Sequence, residues 1–415
     1  MIDENEQPTI RRDLLSYQPI CDTKLNIIGV EMVSRTLQNS LGNGYTLPAT
    51  HSINAILNAF IYTGTGELFR DRLVFIKVAE DFLMSEMVQY LPKERIVLEL
   101  SPCAKVSDAL VNQFNKLADD GYALALDAWA PDDTRKPLLA HSAFARVRMD
   151  NQDNARLAVK QMADSHVSIL ASRVNNEQSL ALARELNAQF LQGRFYQIRK
   201  EIAHKSHSVT MQTVVELIAE LNSDGPDMRL EKFYKENPEL SLQLLHMVNA
   251  AGSGLSISTI RQAIFILGRS QMIRWLQTIL YTLDGNIRPS ALMQSALWRA
   301  KFMETLSAHY KHKVSFTLED MAFITGIISL ADALLGEPME DIIGKMKLSD
   351  TLQAALLHHE GPLGNMLLLT ESLEAGDFDI AETCAKTLEF STDVIMTCQN
   401  TALAWTNKIS SHQGS

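Results

Sequence analysis

Over its first two hundred or so residues the chain alternates short apolar, β-branched runs with helical stretches, and this alternation limits the fold more than any other feature of the sequence. The strand-like runs are Tyr17–Ile20, Ile27–Val33, Leu73–Val78, Ile96–Leu100, Tyr122–Asp127, Ala145–Met149, Val167–Ala171 and Phe190–Tyr196. Helical spacing lies between most of them, over Ser52–Tyr62, Glu80–Tyr90, Lys105–Asp119, Asn154–Asp164 and Glu177–Leu186. Strands separated by helices pair in parallel, and about eight such units in this length of chain predict a small (β/α) barrel. The first two runs are joined by too few residues for a helical crossover, so that pair is expected to be antiparallel.

After about Lys200 the pattern changes. The polar stretch Arg199-Lys-Glu-Ile-Ala-His-Lys-Ser-His-Ser208 has no strand character, and apolar residues then recur at helical spacing almost to the end, as in Val214, Leu217, Ile218 and Leu221. The chain therefore divides into an α/β barrel over residues 1–200 and an all-helical part over 206–415. Gly268 closes an apolar helical run and is expected to be a helix C-cap. His204 and His207 lie in the polar stretch without Cys or carboxylate companions at zinc spacing, and are read as linker.

Charge and cysteine content narrow the partners. Lys plus Arg number 38 against 49 for Asp plus Glu, a net charge of −11, which argues against nucleic acid held by phosphate neutralisation. The 4 cysteines show no paired spacing and fit a reducing compartment. The acidic start Met1-Ile-Asp-Glu-Asn-Glu lacks the charge and apolar regions of a secretory signal, and no apolar run reaches the ~18 residues of a membrane span. A cytoplasmic protein without a membrane anchor is expected.

In a (β/α) barrel, chemistry stands at the carboxyl ends of the strands. The polar residues there are Glu31, Lys77, Glu99, Asp127, Arg148 or Asp150, Ser172 and Gln192. Tyr17-Gln-Pro-Ile20 followed by Gly29-Val-Glu-Met-Val-Ser-Arg35 resembles the opening of the EAL domains, phosphodiesterases that linearise cyclic di-GMP. Leu98-Glu-Leu-Ser101, Leu124-Ala-Leu-Asp127, Val147-Arg-Met-Asp150 and Leu191-Gln-Gly193 fall in order at that family's later motifs. The resemblance covers residues 12–200 and implies a metal-assisted hydrolysis in which carboxylates and an amide hold two divalent ions.

Several of the implied positions differ here. Glu31, Glu99 and Asp127 match family metal ligands, but the Asn position is Lys77 and the second Asp of an Asp-Asp pair is Ala128. The Lys position is Arg148, the Glu-Gly-Val-Glu stretch reads Ser172-Arg-Val-Asn175, and a further Glu is Pro102. A protonated lysine offers charge and no lone pair, so Lys77 opposes a metal; Lys77 and Arg148 are expected to neutralise Glu31, Glu99 and Asp127 in place of the cations. The expectation is no metal, no cofactor and no metal-dependent cleavage. Gln18, Arg35 and Gln192 match positions that contact the nucleotide by resemblance, while loss of the phosphate-neutralising metals counts against cyclic di-GMP binding.

In the helical part, Asn237-Pro-Glu-Leu-Ser-Leu-Gln-Leu-Leu-His-Met-Val-Asn-Ala-Ala251, Ile257–Gly268, Arg299–Leu306 and Ala322–Asp332 resemble the HDOD family, helical relatives of HD phosphohydrolases without their metal ligands. The His-Asp dipeptide of an active HD enzyme is absent near Ser329-Leu330. An EAL-like barrel with an HDOD-like helical domain resembles a group of bacterial signal-transduction proteins. The resemblance implies a catalytically inactive protein that acts on unidentified protein partners in cyclic di-GMP-linked regulation of motility or biofilm formation. The alternatives are a cyclic di-GMP receptor that does not cut, or a phosphodiesterase with an altered metal site. A homodimer is implied by resemblance only.

Overall fold

The computed structural model describes residues 14–34, 72–197, 217, 220–221, 227–250, 259–280, 291–312, 318–335, 338–346 and 348–412. Eight strands, β1 (Leu15–Asp22), β2 (Ile27–Ser34), β3 (Leu73–Val78), β4 (Ile96–Leu100), β5 (Ala123–Leu126), β6 (Phe144–Arg148), β7 (Ser168–Ser172) and β8 (Phe190–Gln192), close into a barrel in chain order. β2 to β8 pair in parallel, whereas β1 runs antiparallel to both β2 and β8. The hairpin behind this reversal is built by Asp22, whose Oδ1 accepts from the backbone N–H groups of Lys24 at 2.8 Å and Asn26 at 2.9 Å. Consequently the amino end of β1 and the carboxyl ends of the other strands share one mouth.

Side chains alternate across a strand, so every second residue enters the barrel. Ile20, Phe75, Val97, Ala125 and Leu170 form a dry layer inside it. Phe144 lies edge-on to Phe75 at 5.2 Å and to Phe190 at 5.5 Å, closing the layer. Gly29 leaves room for the Phe75 ring, since a Cβ there would approach it to 3.1 Å and the Leu73 carbonyl to 2.7 Å. One inward step toward the mouth, each of these apolar positions gives way to a polar one: Gln18, Lys77, Glu99, Asp127, Arg146, Ser172 and Gln192.

The helices around the barrel start on side-chain caps: Ser107 before α2 (Asp108–Asp119), Asn151 before α3 (Gln152–Lys160) and Asn176 before α4 (Glu177–Glu185). The helix expected over Glu80–Tyr90 is instead the single turn α1 (Glu80–Leu83) and a 3-10 segment over Glu86–Tyr90. Ser85 divides them, its hydroxyl and its backbone N–H both donating to the Phe82 carbonyl. The last strand ends at Gln192 rather than Tyr196. Gly193, at φ 140°, lies so close to Val174 that a Cβ would come within 2.4 Å of its carbonyl, and Phe195–Gln197 turns into a 3-10 segment. The helix read over Ser52–Tyr62 and the polar stretch expected to divide the chain near residue 200, with His204 and His207, lie outside the described residues.

The remainder is helical: α5 (Asp227–Glu236), α6 (Pro238–Ala250), α7 (Ile260–Leu280), α8 (Ala291–Ala308), α9 (Leu318–Ile328), α10 (Ala331–Leu335), α11 (Met339–Met346), α12 (Asp350–His358), α13 (Gly361–Ala375), α14 (Phe378–Thr387) and α15 (Thr392–His412). α8 is central, packing on α9, α13 and α15. Gly326 of α9 sits against the Ala300 backbone of α8, too close for a side chain. Gly268, at φ 72° and ψ 156°, interrupts α7 where the sequence marks a helix end. The helical region rests on the β1 side of the barrel: α13 packs on β1, Gln399 Nε2 donates to the Leu15 carbonyl at 2.9 Å, and Arg72 Nη2 donates to Gln294 Oε1 at 2.6 Å. Among the described residues no helix is long and apolar enough to cross a membrane.

Candidate functional site

The inward polar layer is a network of buried charge. Arg146 lies at its centre, 3% exposed. Its guanidinium holds Glu99 in a two-pronged pair through Nε and Nη2, the latter at 2.9 Å, while Nη1 reaches Glu31 Oε2 at 3.0 Å and also donates to Gln192 Oε1. Asp127 Oδ1 stands 3.6 Å from Arg146 Nε. Lys77 closes the ring from above, its Nζ 3.2 Å from Glu31 Oε1 and 3.1 Å from Asp127 Oδ2, with the side chain 29% exposed to the mouth. The expectation that Arg148 provides the second neutralising cation is corrected here: Arg146 does. Both arginines lie on the inward face of β6, but Arg148 is one step nearer the rim and pairs with Asp150 Oδ2 at 2.6 Å.

Burial alone would raise the Glu31 carboxyl, but Arg146 and Lys77 outweigh it and hold the group at about 2, below the ordinary 4.5. Glu99 goes the other way. Its complete burial and the nearby Asp127 and Glu31 charges overcome Arg146, pushing it up to about 7. For Lys77 and Arg146, burial opposes the charge, yet the surrounding carboxylates raise both above their ordinary values. A group raised in the folded state keeps its proton there after the unfolded chain has lost it. The Glu99 contribution to stability is therefore present below about pH 4.5 and is lost as pH rises through about 7, with a slope of up to about 1.4 kcal/mol per pH unit. Glu31 acts oppositely, stabilising above pH 4.5 and losing that contribution as pH falls toward 2. Glu99→Gln is expected to flatten the decline in urea midpoint between pH 5 and 8; an unchanged decline would assign it to another group.

These residues do not fit a pair of divalent metals. Glu31, Glu99 and Asp127 already face Lys77 or Arg146, and neither cation has a lone pair to offer. Among the described residues no three His, Cys, Asp or Glu side chains converge as metal ligands do. A dication entering here would have to displace the Lys77 ammonium.

Above the network a cavity of about 550 Å³ opens at the mouth. Gln18, Glu31, Lys77, Asp127, Ala128, Arg148, Asn175 and Gln192 all line it, so most of the residues picked from the sequence do converge. Their roles differ from those expected. Gln192 is 5% exposed and tied to Arg146, Glu31 and, at 3.5 Å, Gln18. Asn175 Oδ1 accepts from the Arg194 backbone N–H at 2.9 Å, stitching the loops after β7 and β8. Ala128 is in left-handed backbone, at φ 45°. Arg35 lies outside the described residues.

Four contributors were not singled out in the sequence. Arg146 carries a readable signal, the period of two that it shares with Arg148. Arg135 is fully buried, paired with Asp133, and donates to the carbonyls of Leu100 and Asp127 at 2.7 Å each, pinning the ends of β4 and β5 beneath Asp127. Arg194 follows Gly193 on the rim. Glu374, with Ala375 and Gly376, reaches the same cavity from the end of α13. Buried Arg299 of α8 clamps Glu374 through Nε at 3.0 Å and Nη2 at 2.5 Å, and also reaches Glu371 at 3.1 Å and Ser329 at 3.1 Å. The wall of the mouth is thus partly made by the helical region.

No family model matches the chain. It is 26% identical over 387 residues to a Vibrio cholerae protein named cyclic di-GMP phosphodiesterase CdgJ, covering 91% of this chain and 88% of that one. It is 24% identical over 411 residues to the uncharacterized protein YuxH of Bacillus subtilis, covering 96% and 99%. Among solved structures, the EAL enzyme Bd1971 in its cAMP-bound form aligns at 14% identity and a TM-score of 0.36, covering 45% of this chain and 62% of that one, under two thirds of its length. The Bacillus subtilis YkuI protein, solved with cyclic di-GMP and calcium, aligns at 14% and 0.37, covering 55% and 71%. The expectation that this chain is not an enzyme is overturned by the Vibrio relative, which matches it over nearly the whole length and bears a phosphodiesterase name.

Proposed function

We propose that this chain is a cyclic di-GMP-linked signalling protein that takes the nucleotide at the mouth of its barrel and passes occupancy to protein partners through its helical region. The observation that carries the reading is the mouth itself. In a chain of net charge −11, five of the residues lining the cavity, Lys77, Arg146, Arg148, Arg173 and Arg194, are cationic, against the carboxylates Glu31, Asp127 and Glu374. An anionic ligand fits those side chains, because the arginines can fork onto phosphate oxygens. Gln18 adds an amide for base edges. The name of the Vibrio relative supports the choice of nucleotide.

Transmission rests on the clamp between Glu374 and Arg299, because one carboxylate belongs both to the mouth and to the core of the helical region. Hydrolysis of the same nucleotide is a second reading, favoured by the phosphodiesterase name of that relative. Calorimetric titration of cyclic di-GMP, with chromatography of the mixture, tests both. Saturable heat is the expected result, and a linear dinucleotide would establish cleavage. With ligand bound, amide exchange should slow in 361–375 and 291–308, and Arg299→Ala should abolish the change in 291–308. Absence of heat in both metal-free and manganese buffers would overturn the proposal.

A further inference from the structure

The loops after β7 and β8 form a platform that the buried network does not require. Val174 N–H donates to the Gln192 carbonyl at 3.0 Å, Asn175 Oδ1 accepts from Arg194 N–H, and Ser179 Oγ accepts from the N–H groups of Asn175 and Asn176 at 3.1 Å. Gly193 permits the close approach at Val174. Each loop presents one arginine to the cavity, Arg173 from the first and Arg194 from the second.

Arg173 is in left-handed backbone at φ 58°, a conformation suited to glycine and costly for a long side chain. Such strain at the edge of a cavity points to use of the side chain that bears it. Its nearest counter-charge is Asp150, at 3.8 Å, and Asp150 is already engaged by Arg148 at 2.6 Å. Arg148, Arg173 and Arg194 set against Asp150 and Glu374 leave one net positive charge on this rim for a phosphate to meet. In (β/α) barrels, the loops after the seventh and eighth strands are a frequent place for phosphate.

We infer that Arg173 and Arg194 form a phosphate clamp that holds the ligand without a divalent cation, Lys77 adding charge from below. This rests on the nucleotide reading given above. The ammonium of Lys77 is ion-paired with Glu31 at 3.2 Å and Asp127 at 3.1 Å, and its side chain, 29% exposed, opens to the mouth where a ligand oxygen can meet it.

The test is titration of cyclic di-GMP into the full chain, in EDTA and in manganese, for the wild type, Arg173→Ala/Arg194→Ala and Arg173→Gly. The wild-type Kd should change less than twofold between the two buffers and should weaken with salt. The double variant should lose at least about tenfold, the range of charge-assisted hydrogen bonds, with an unchanged melting temperature because both side chains are exposed. Arg173→Gly should weaken binding and raise the melting temperature together, a pairing that a purely structural arginine would not give. Wild-type binding with an unaffected double variant overturns the clamp and leaves the nucleotide reading intact. Binding that appears only with manganese overturns metal independence. If cyclic di-GMP gives no heat at all, the nucleotide reading fails, and tripolyphosphate becomes the probe: saturation lost in the double variant upholds the clamp, and no saturation overturns it too.

Discussion

Arg146→Ala is expected to destabilise the barrel by about 3–5 kcal/mol, the range for removing one partner from a buried charge network. The guanidinium contacts Glu31, Glu99 and Gln192, and all three are nearly inaccessible. Alanine returns no hydrogen bond to any of them. Burial then acts on Glu31 and Glu99 with one main counter-charge, Lys77, remaining. The expected result is a lower urea midpoint at constant slope. The deficit should narrow on acidification, because the uncompensated carboxyls take up protons and cease to be buried charges. Adding Glu99→Gln should recover part of the loss, giving a coupling energy of about 0.5–3 kcal/mol in a double-mutant cycle. A loss near 1 kcal/mol, with no pH dependence, would mean that water replaces the guanidinium and that the network is not dry.

The barrel was legible because its strands obey one rule. On each, inward positions are apolar at the base and polar at the mouth, so Phe75 precedes Lys77, Val97 precedes Glu99 and Leu170 precedes Ser172. Reversal of β1 was legible from loop length alone. The error at β6 shows the limit of the same rule. A period of two places Arg146 and Arg148 on one face, but which of them meets Glu31 and Glu99 depends on how neighbouring strands are staggered around the closed barrel. Stagger is a property of the whole sheet.

Other features escaped because their causes are distant in the chain. Nothing near Glu374 marks it as part of the mouth; its place follows from α13 packing on β1 and from the Arg299 clamp. Arg135 looks like one more charge in a polar turn, yet among the described residues it is the largest fully buried side chain, and it holds the ends of two strands. Ser85 is a local signal, since its side chain competes for the Phe82 carbonyl and ends the helical run early.

Lys77→Asn combined with Ala128→Asp is expected to give the mouth a divalent-cation site. The first change removes the ammonium that bridges Glu31 and Asp127 and puts a neutral oxygen in its place. The second adds a carboxylate beside Asp127, at a position whose backbone, at φ 45°, suits aspartate better than alanine. Both are positions where the EAL resemblance implies metal ligands. Net charge in the network then falls by two, matching an entering dication. At a hundredfold excess over its Kd, manganese should stabilise the double variant by about 2.7 kcal/mol, read as a rise in urea midpoint. The wild type should not respond, since the same ion would have to expel Lys77 from two carboxylates. Equal stabilisation of both proteins would show that Lys77 yields readily and that the mouth takes metal as it stands. No stabilisation of the double variant would show that Arg146 alone, still paired with Glu31 and Glu99, is enough to keep a cation out.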